Sequence, residues 1–177
     1  ARWLVRSLSG DLGESLYFRQ PVATLLIQKL PTTVILGLAS LAFALSLSIL
    51  LGVIGALRPN SWLDRLTLAF AVAGQVLPNF FIALLLILVF SVHLRWLPVS
   101  GSEGWRHFVL PTVTLGYYVA PPLMRLVRAG MIEALASDYI RAARAKGLPS
   151  WLVVGKHALR NALVPVVALA AVQLGFL

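Results

Sequence analysis

The run LPTTVILGLASLAFALSLSILLGVIGAL, from Leu30 to Leu57, is 28 consecutive residues without an Asp, Glu, Lys or Arg. A helix needs about 20 apolar residues to cross the hydrocarbon of a bilayer. Three more charge-poor stretches follow: 29 residues between Arg65 and Arg95, 18 between Arg106 and Arg125, and 17 after Arg160. One Arg at the centre of a span costs about 2.5–3.5 kcal/mol on insertion scales, so gaps of this length are the mark of lipid-crossing segments. Helices are expected near 32–57, 66–92 and 109–130, with a fourth from about 151 onward that the end of the chain cuts short. The third gap suffices if its helix runs past Arg125, whose apolar stem can snorkel.

Composition agrees. The chain is 59% hydrophobic and 12% charged, with a mean hydropathy of +0.89. Soluble domains carry about one quarter charged residues, so lipid is the expected solvent. Cys is absent, which excludes disulfides and thiolate metal sites. His93, His107 and His157 have no ligand-like spacing, so no metal and no cofactor is expected. The net charge of +9 comes from residues between the apolar runs. That placement fits membrane topology and contact with anionic lipid, not nucleic acid. The chain begins at Ala1 without a signal-peptide pattern and ends within an apolar run, so it is read as a fragment.

Within the first span, Gly37, Ser40, Ser46, Ser48, Gly52 and Gly55 allow close helix approach, and Ser48 and Gly52 form a small-xxx-small pair. Pro78 and the pair Pro121-Pro122 lie inside spans, remove backbone donors and should kink their helices. Residues 58–65 form a tight polar turn. Residues 95–108, with Pro98, Gly101, Gly104, Trp96 and Trp105, form an interfacial loop with aromatic anchors. Residues 125–161 hold seven Lys or Arg and two acids. They are therefore assigned to the cytoplasm, with 58–65 on the same side and 95–108 outside. This puts nine basic residues inside against six outside. Residues 1–30 are amphipathic and extracytoplasmic, with a turn at Gly10–Ser15 and a short helix opened by Pro21. Residues 31–177 are part of one transmembrane domain. The fold class is all-α: a polytopic transmembrane helical bundle with three full spans and a truncated fourth.

The loop 133–165 breaks into two helices. Ser137 is placed to cap the first, with Asp138 in its first turn and Arg144 and Lys146 in its last. Gly147 suits the left-handed position that ends a helix, and Pro149 prevents continuation. Ser150 is placed to cap the next helix, which rises back into the membrane. A surface helix over 138–146 results. Ala142, Ala143 and Ala145 give it a small-residue face, Tyr139 and Ile140 apolar contact, and Arg141 and Arg144 polar fixation. It either rides on anionic lipid or docks a partner. Helices this short are marginal alone.

Tyr139-Ile140-Arg141-Ala142-Ala143-Arg144-Ala145-Lys146-Gly147-Leu148, followed by His157-Ala158-Leu159-Arg160-Asn161-Ala162-Leu163-Val164-Pro165, resembles the EAA loop of binding-protein-dependent ABC importer permeases. The resemblance is to the dipeptide, oligopeptide, glutathione and nickel branch. Gly10-Asp11-Leu12-Gly13 with Ser15, Lys29-Leu30-Pro31, Ser61–Arg65, Leu77-Pro78-Asn79-Phe80, Trp96-Leu97-Pro98 and Ser100-Gly101 are similar too. Arg141 departs from the Glu of the general motif, and His157 and Arg160 depart from its Ile and Pro. Both departures are similar to the peptide branch. The resemblance implies a type I ABC importer permease of the bacterial inner membrane, not itself an enzyme, that moves peptides, with nickel or glutathione as the alternative. The implied partners are a second homologous permease subunit, two cytoplasmic ATPase subunits, a periplasmic solute-binding protein and membrane lipid. Asp138, Tyr139, Arg141, Ala142, Ala143, Arg144 and Gly147 then couple to the ATPase. No phosphate-binding loop occurs in the chain.

Gln75 and Asn79, four apart and so on one helix face, either line the solute path or form an interhelical hydrogen-bond pair. Tyr117 and Tyr118 either face the cavity or pack. Arg125 and Arg128 mark the cytoplasmic boundary of the third span, with contact to an anionic substrate as the other reading. The six acids all fall outside the spans, and no nucleophile–base or paired-carboxylate set is present. That counts against a secondary transporter or channel, the alternative class, since proton-coupled carriers use intramembrane carboxylates or His.

Overall fold

A computed structural model describes residues 12–177. The Gly10-Asp11 half of the expected turn and the first part of the amphipathic segment lie outside the described residues. The chain divides into two compact units, Ala1–Leu36 and Gly37–Leu177. In the first, a turn over Ser15–Gln20 is closed by a Glu14–Pro21 bridge and by Val22 N–H donating to the Gly13 carbonyl at 3.0 Å. Helix α1, Val22–Leu57, starts there and contains Pro31. It therefore begins ten residues before the expected 32. Pro21 precedes its first turn, where a missing N–H costs nothing.

In the second unit, one side of α1 is buried at Gly37, Ser40, Ala44, Ser48, Gly52 and Gly55. These recur every three or four residues, a stripe of small side chains. Against it lies α4, Trp105–Ala136. A methyl group on Gly52 would stand 2.8 Å from Val127 Cβ, and one on Gly116 would stand 2.7 Å from the Ser40 carbonyl oxygen. Ser48 Oγ donates to the Ala120 carbonyl at 2.9 Å, immediately before the Pro121-Pro122 pair. The pairings rise together, Ser40 with Gly116, Ser48 with Ala120, and Gly52 with Met124 and Val127. The two helices thus run parallel, as expected of spans separated by one return crossing. Helix association in lipid rests on such close packing, because lipid tails are as apolar as the side chains.

The second expected span is not one helix. Helix α2, Trp62–Val76, is capped by Ser61, whose side chain accepts from the Asp64 N–H. It ends at Leu77, which adopts φ −75° and ψ 130°. A residue before proline is pushed out of the helical region, and Pro78 follows. Helix α3, Asn79–Leu86, then continues as a π-helical segment, Ile87–His93. The axis bends by 104° between the two limbs. Sequence spacing predicts a kink at Pro78; the structure has a corner.

Helix α4 spans 32 residues and runs through Pro111, Pro121 and Pro122. It starts at Trp105, four residues before the expected 109. Length and composition mark two helices as able to cross a membrane, Val22–Leu57 and Ser150–Leu174, or three if the bent pair is one span. Helix α4 is not among them, although 109–130 was expected to cross. Its prolines, Tyr117, Tyr118 and two threonines dilute its hydropathy. It is also the most enclosed helix, burying Leu110, Val119, Leu123, Met124, Val127 and Met131 among others. A helix sheathed by protein has no need of a wholly apolar surface.

After α4 come α5, Asp138–Ala145, and α6, Ser150–Leu152. A second π-helical segment, Val153–Ala158, leads into α7, Leu159–Leu174. The core joins α1, α4, α5 and α7 through residues such as Ala44, Leu123, Val127, Ile140 and Val166. Gly130 lets α4 approach the Ala162 backbone of α7; a methyl there would stand 3.2 Å from Ala162 Cα.

Candidate functional site

Helix α5 is closed at its C-terminus by Gly147 at φ +77°, the left-handed conformation that costs a residue with a Cβ about 1–2 kcal/mol. Gly147 N–H donates to the Arg144 carbonyl at 2.9 Å and Leu148 N–H to the Ala143 carbonyl at 3.3 Å. This is the Schellman pairing. The N-terminal side departs from expectation. Ser137 does stand at the cap position, but its side chain makes no cap bond and instead donates back to the Ala134 carbonyl of α4. The turn from α4 is so short that the Ser137 hydroxyl faces the helix it leaves. Pro149, not Ser150, occupies the next cap position, and no side chain caps there.

The two faces of α5 differ. Ile140 and Ala143 are 0% and 8% exposed, inside the protein's own core. This corrects two expectations: Ile140 is not offered outward, and the small-residue face splits. Helical spacing turns Ala143 inward with Ile140, three residues before it, while Ala142 and Ala145 stay exposed. Asp138, Arg141 and Arg144 are exposed as well. Arg141 pairs with Asp138 at 2.6 Å on the surface, a geometry worth little stability in water. Tyr139 Oη accepts from Asn161 Nδ2 at 2.8 Å. Tyr139 and Asn161 form the ridge between two hollows. One, of about 270 Å³, reaches Gly130, Glu133 and Pro165. The other, of about 280 Å³, is walled by Lys156, His157 and Arg160. Sequence reasoning quoted His157, Arg160 and Asn161 within a motif but gave them no role. The π-helical turn at 153–158 shifts the register that would have predicted their side.

The four path candidates do not share one site. Gln75 and Asn79 fall on opposite sides of the Pro78 corner, so the expected common helix face does not exist. Tyr117 packs on α2: its hydroxyl donates to the Phe70 carbonyl at 3.1 Å, and its ring meets the Phe70 ring edge-on at 4.9 Å. Tyr118 is 56% exposed. With Gln75, Pro122, Gln173 and Phe176 it lines an open cleft of about 500 Å³. Gln75 Oε1 accepts from Arg125 Nη1 at 2.8 Å. Asn79 Oδ1 is buried without a hydrogen-bond partner among the described residues.

A buried ion pair was not foreseen. Asp64, 1% exposed, accepts from Arg128 Nε and Nη2, each at 2.6 Å. The Asn60 N–H completes the carboxylate's shell at 2.8 Å, with Asn60 itself at φ +63°. Gly55 makes room: a methyl there would stand 3.0 Å from Asp64 Oδ1 and from Thr67 Oγ1. The pair ties the 58–61 turn to α4. Among the described residues, no three His, Cys, Asp or Glu side chains gather to hold a metal ion.

A helical bundle, without strands among the described residues, with apolar, membrane-crossing helices and a polar-faced helix docked at one end defines a multi-pass membrane protein. The chain belongs to the family of binding-protein-dependent transport system inner membrane components, whose pattern matches residues 48–177. It is similar to the glutathione transport system permease protein GsiC of Escherichia coli K12, at 42% identity over 175 residues. It is also similar to the GsiC of Pectobacterium atrosepticum, at 42%, and to that of Shigella flexneri serotype 5b, at 41%. Each match takes in 99% of this chain and 57% of the relative, so the chain spans little more than half the length of these proteins. Its place is the inner membrane.

Proposed function

We propose that the chain is part of a permease subunit of an ATP-driven ABC importer that carries peptides. It forms part of the solute path and meets cytoplasmic ATPases through α5 within the loop 133–165. The observation that carries this reading is the build of α5. Its inner face is buried at Ile140 and Ala143, its end is locked at Gly147, and its outer face presents Asp138, Arg141, Ala142 and Arg144. A helix so anchored presents a fixed rod to a groove, a recurring mode of recognition.

The relatives' names favour glutathione, itself a short peptide, among the solutes; nickel has no such support. The secondary-transporter or channel reading loses ground, since the relatives are transport-system permeases. In the proposed assembly ATP hydrolysis belongs to two separate ATPase subunits. A second homologous permease subunit and a periplasmic solute-binding protein complete it, surrounded by membrane lipid and without nucleic acid. We assign residues 1–30 to an extracytoplasmic segment and residues 31–177 to the transmembrane domain.

Gly147→Trp in the full-length protein tests the coupling. A Cβ at Gly147 meets nothing within 4 Å, so the strain comes from the left-handed backbone and not from a clash at the Cβ. Uptake falls and the ATPase co-purifies less. Unchanged uptake with unchanged co-purification would overturn the assignment.

A further inference from the structure

Two arginines lie one turn apart on α4 and are held differently. Arg128 is committed to Asp64 through two charge-assisted bonds. Arg125 is exposed and makes one hydrogen bond, to the neutral amide of Gln75. Neither of the two ion pairs among the described residues includes it. A guanidinium has five N–H donors in a fixed fork. Arg125 thus keeps a full positive charge and donors to spare.

Its position gives that charge a use. Tyr118, Pro122 and Arg125 are spaced four and then three residues apart on α4, so they share a face. Tyr118 and Pro122 line the 500 Å³ cleft, and so does Gln75, the residue that steadies Arg125. The other wall is Gln173 and Phe176. The cleft therefore offers two amides, a phenol and an aromatic ring, with an unneutralised guanidinium hydrogen-bonded to one of the lining amides. Amides match peptide bonds, and a guanidinium fork matches a carboxylate in two parallel hydrogen bonds.

We infer that Arg125, steadied by Gln75, is a specificity-determining residue that binds the carboxylate of a peptide-like solute as it passes the cleft lined by Tyr118 and Gln173. The inference rests on the import reading above and names the substrate chemistry for that path. Gln75 orients the guanidinium without cancelling its charge, which an Asp or Glu in the same place would do. Arg128, its charge already paired with Asp64, has no part in recognition.

The test uses the complete importer with its binding protein in proteoliposomes. The probe is a mixed tripeptide library, supplied either as free acids or as C-terminal amides, with ATP-dependent uptake read by mass spectrometry. The binding protein is the same in every arm, so a change in the acid-to-amide ratio reports the permease. Arg125→Gln is expected to lower that ratio about tenfold, the scale of one lost charge-assisted bond. Arg125→Lys, which keeps the charge without the fork, is expected to fall between. Equal loss for acids and amides in both variants would make Arg125 a structural tie between α2 and α4 and overturn the inference. So would a ratio unchanged from the parent. A loss that follows the anionic lipid content of the vesicles, and not the solute's carboxylate, would assign Arg125 to headgroup phosphate and likewise overturn it. If the parent imports no peptide of either kind on ATP addition, the import reading falls first.

Discussion

At the scale of single residues, the least replaceable contact is Asp64 with Arg128. Removing one member of a buried pair leaves the other charge stranded. The cost is about 3–5 kcal/mol, with the lower end apt here because the Arg128 side chain keeps 21% of its surface exposed. Asp64→Ala and Arg128→Ala should each destabilise the full-length protein by about 3 kcal/mol, read by denaturant unfolding in detergent. The double variant should lose clearly less than the sum of the two; strict additivity would deny the coupling. Nothing local predicts this pair. Its members are 64 positions apart, Asp64 sits in a polar turn, and Arg128 looks like a boundary marker. Gly147 is the opposite case. Its role is set by neighbours within four residues, and the sequence was enough to place it.

At the scale of elements, α5 shows what periodicity reveals and what it conceals. That a helix lies between Ser137 and Gly147 follows from local stop and start signals. Which apolar residues serve the protein's own core, and which a partner, does not. Ile140 and Tyr139 read alike in sequence, yet one is buried and the other is 42% exposed. In a full-length background freed of other accessible cysteines, this division is open to direct measurement. Ala142→Cys and Ala145→Cys should react quickly with a maleimide in the isolated permease and be shielded when the proposed ATPase partner is bound. Ala143→Cys should react slowly in both. Equal reactivity at 142 and 143 would contradict the fold of this helix. The Gln75–Asn79 pairing failed for a related reason. Four-residue spacing means a shared face only while one helix continues, and Pro78 ends it. The π-helical turns at 87–93 and 153–158 leave no mark in composition, since they shift side chains by a fraction of a turn without changing which residues are apolar.

At the scale of the molecule, α4 fixes the geometry. Its 32 residues extend about 48 Å at 1.5 Å per residue, well beyond a hydrocarbon core of about 30 Å. The 95–104 loop stands before its first turn and α5 after its last, so the proposed topology puts the two on opposite faces of the membrane. An impermeant maleimide applied to intact cells should therefore label Ser100→Cys, exposed in that loop, and reach Ala145→Cys only after the membrane is opened. The reverse pattern would invert the orientation on which the coupling reading depends. Helix α4 ends at Ala136 and α5 begins at Asp138, leaving Ser137 alone between them. One residue supplies two rotatable torsions and no slack. A shove delivered to the short helix is thus taken up by those two angles or handed directly to the long one, as in a crank built without backlash.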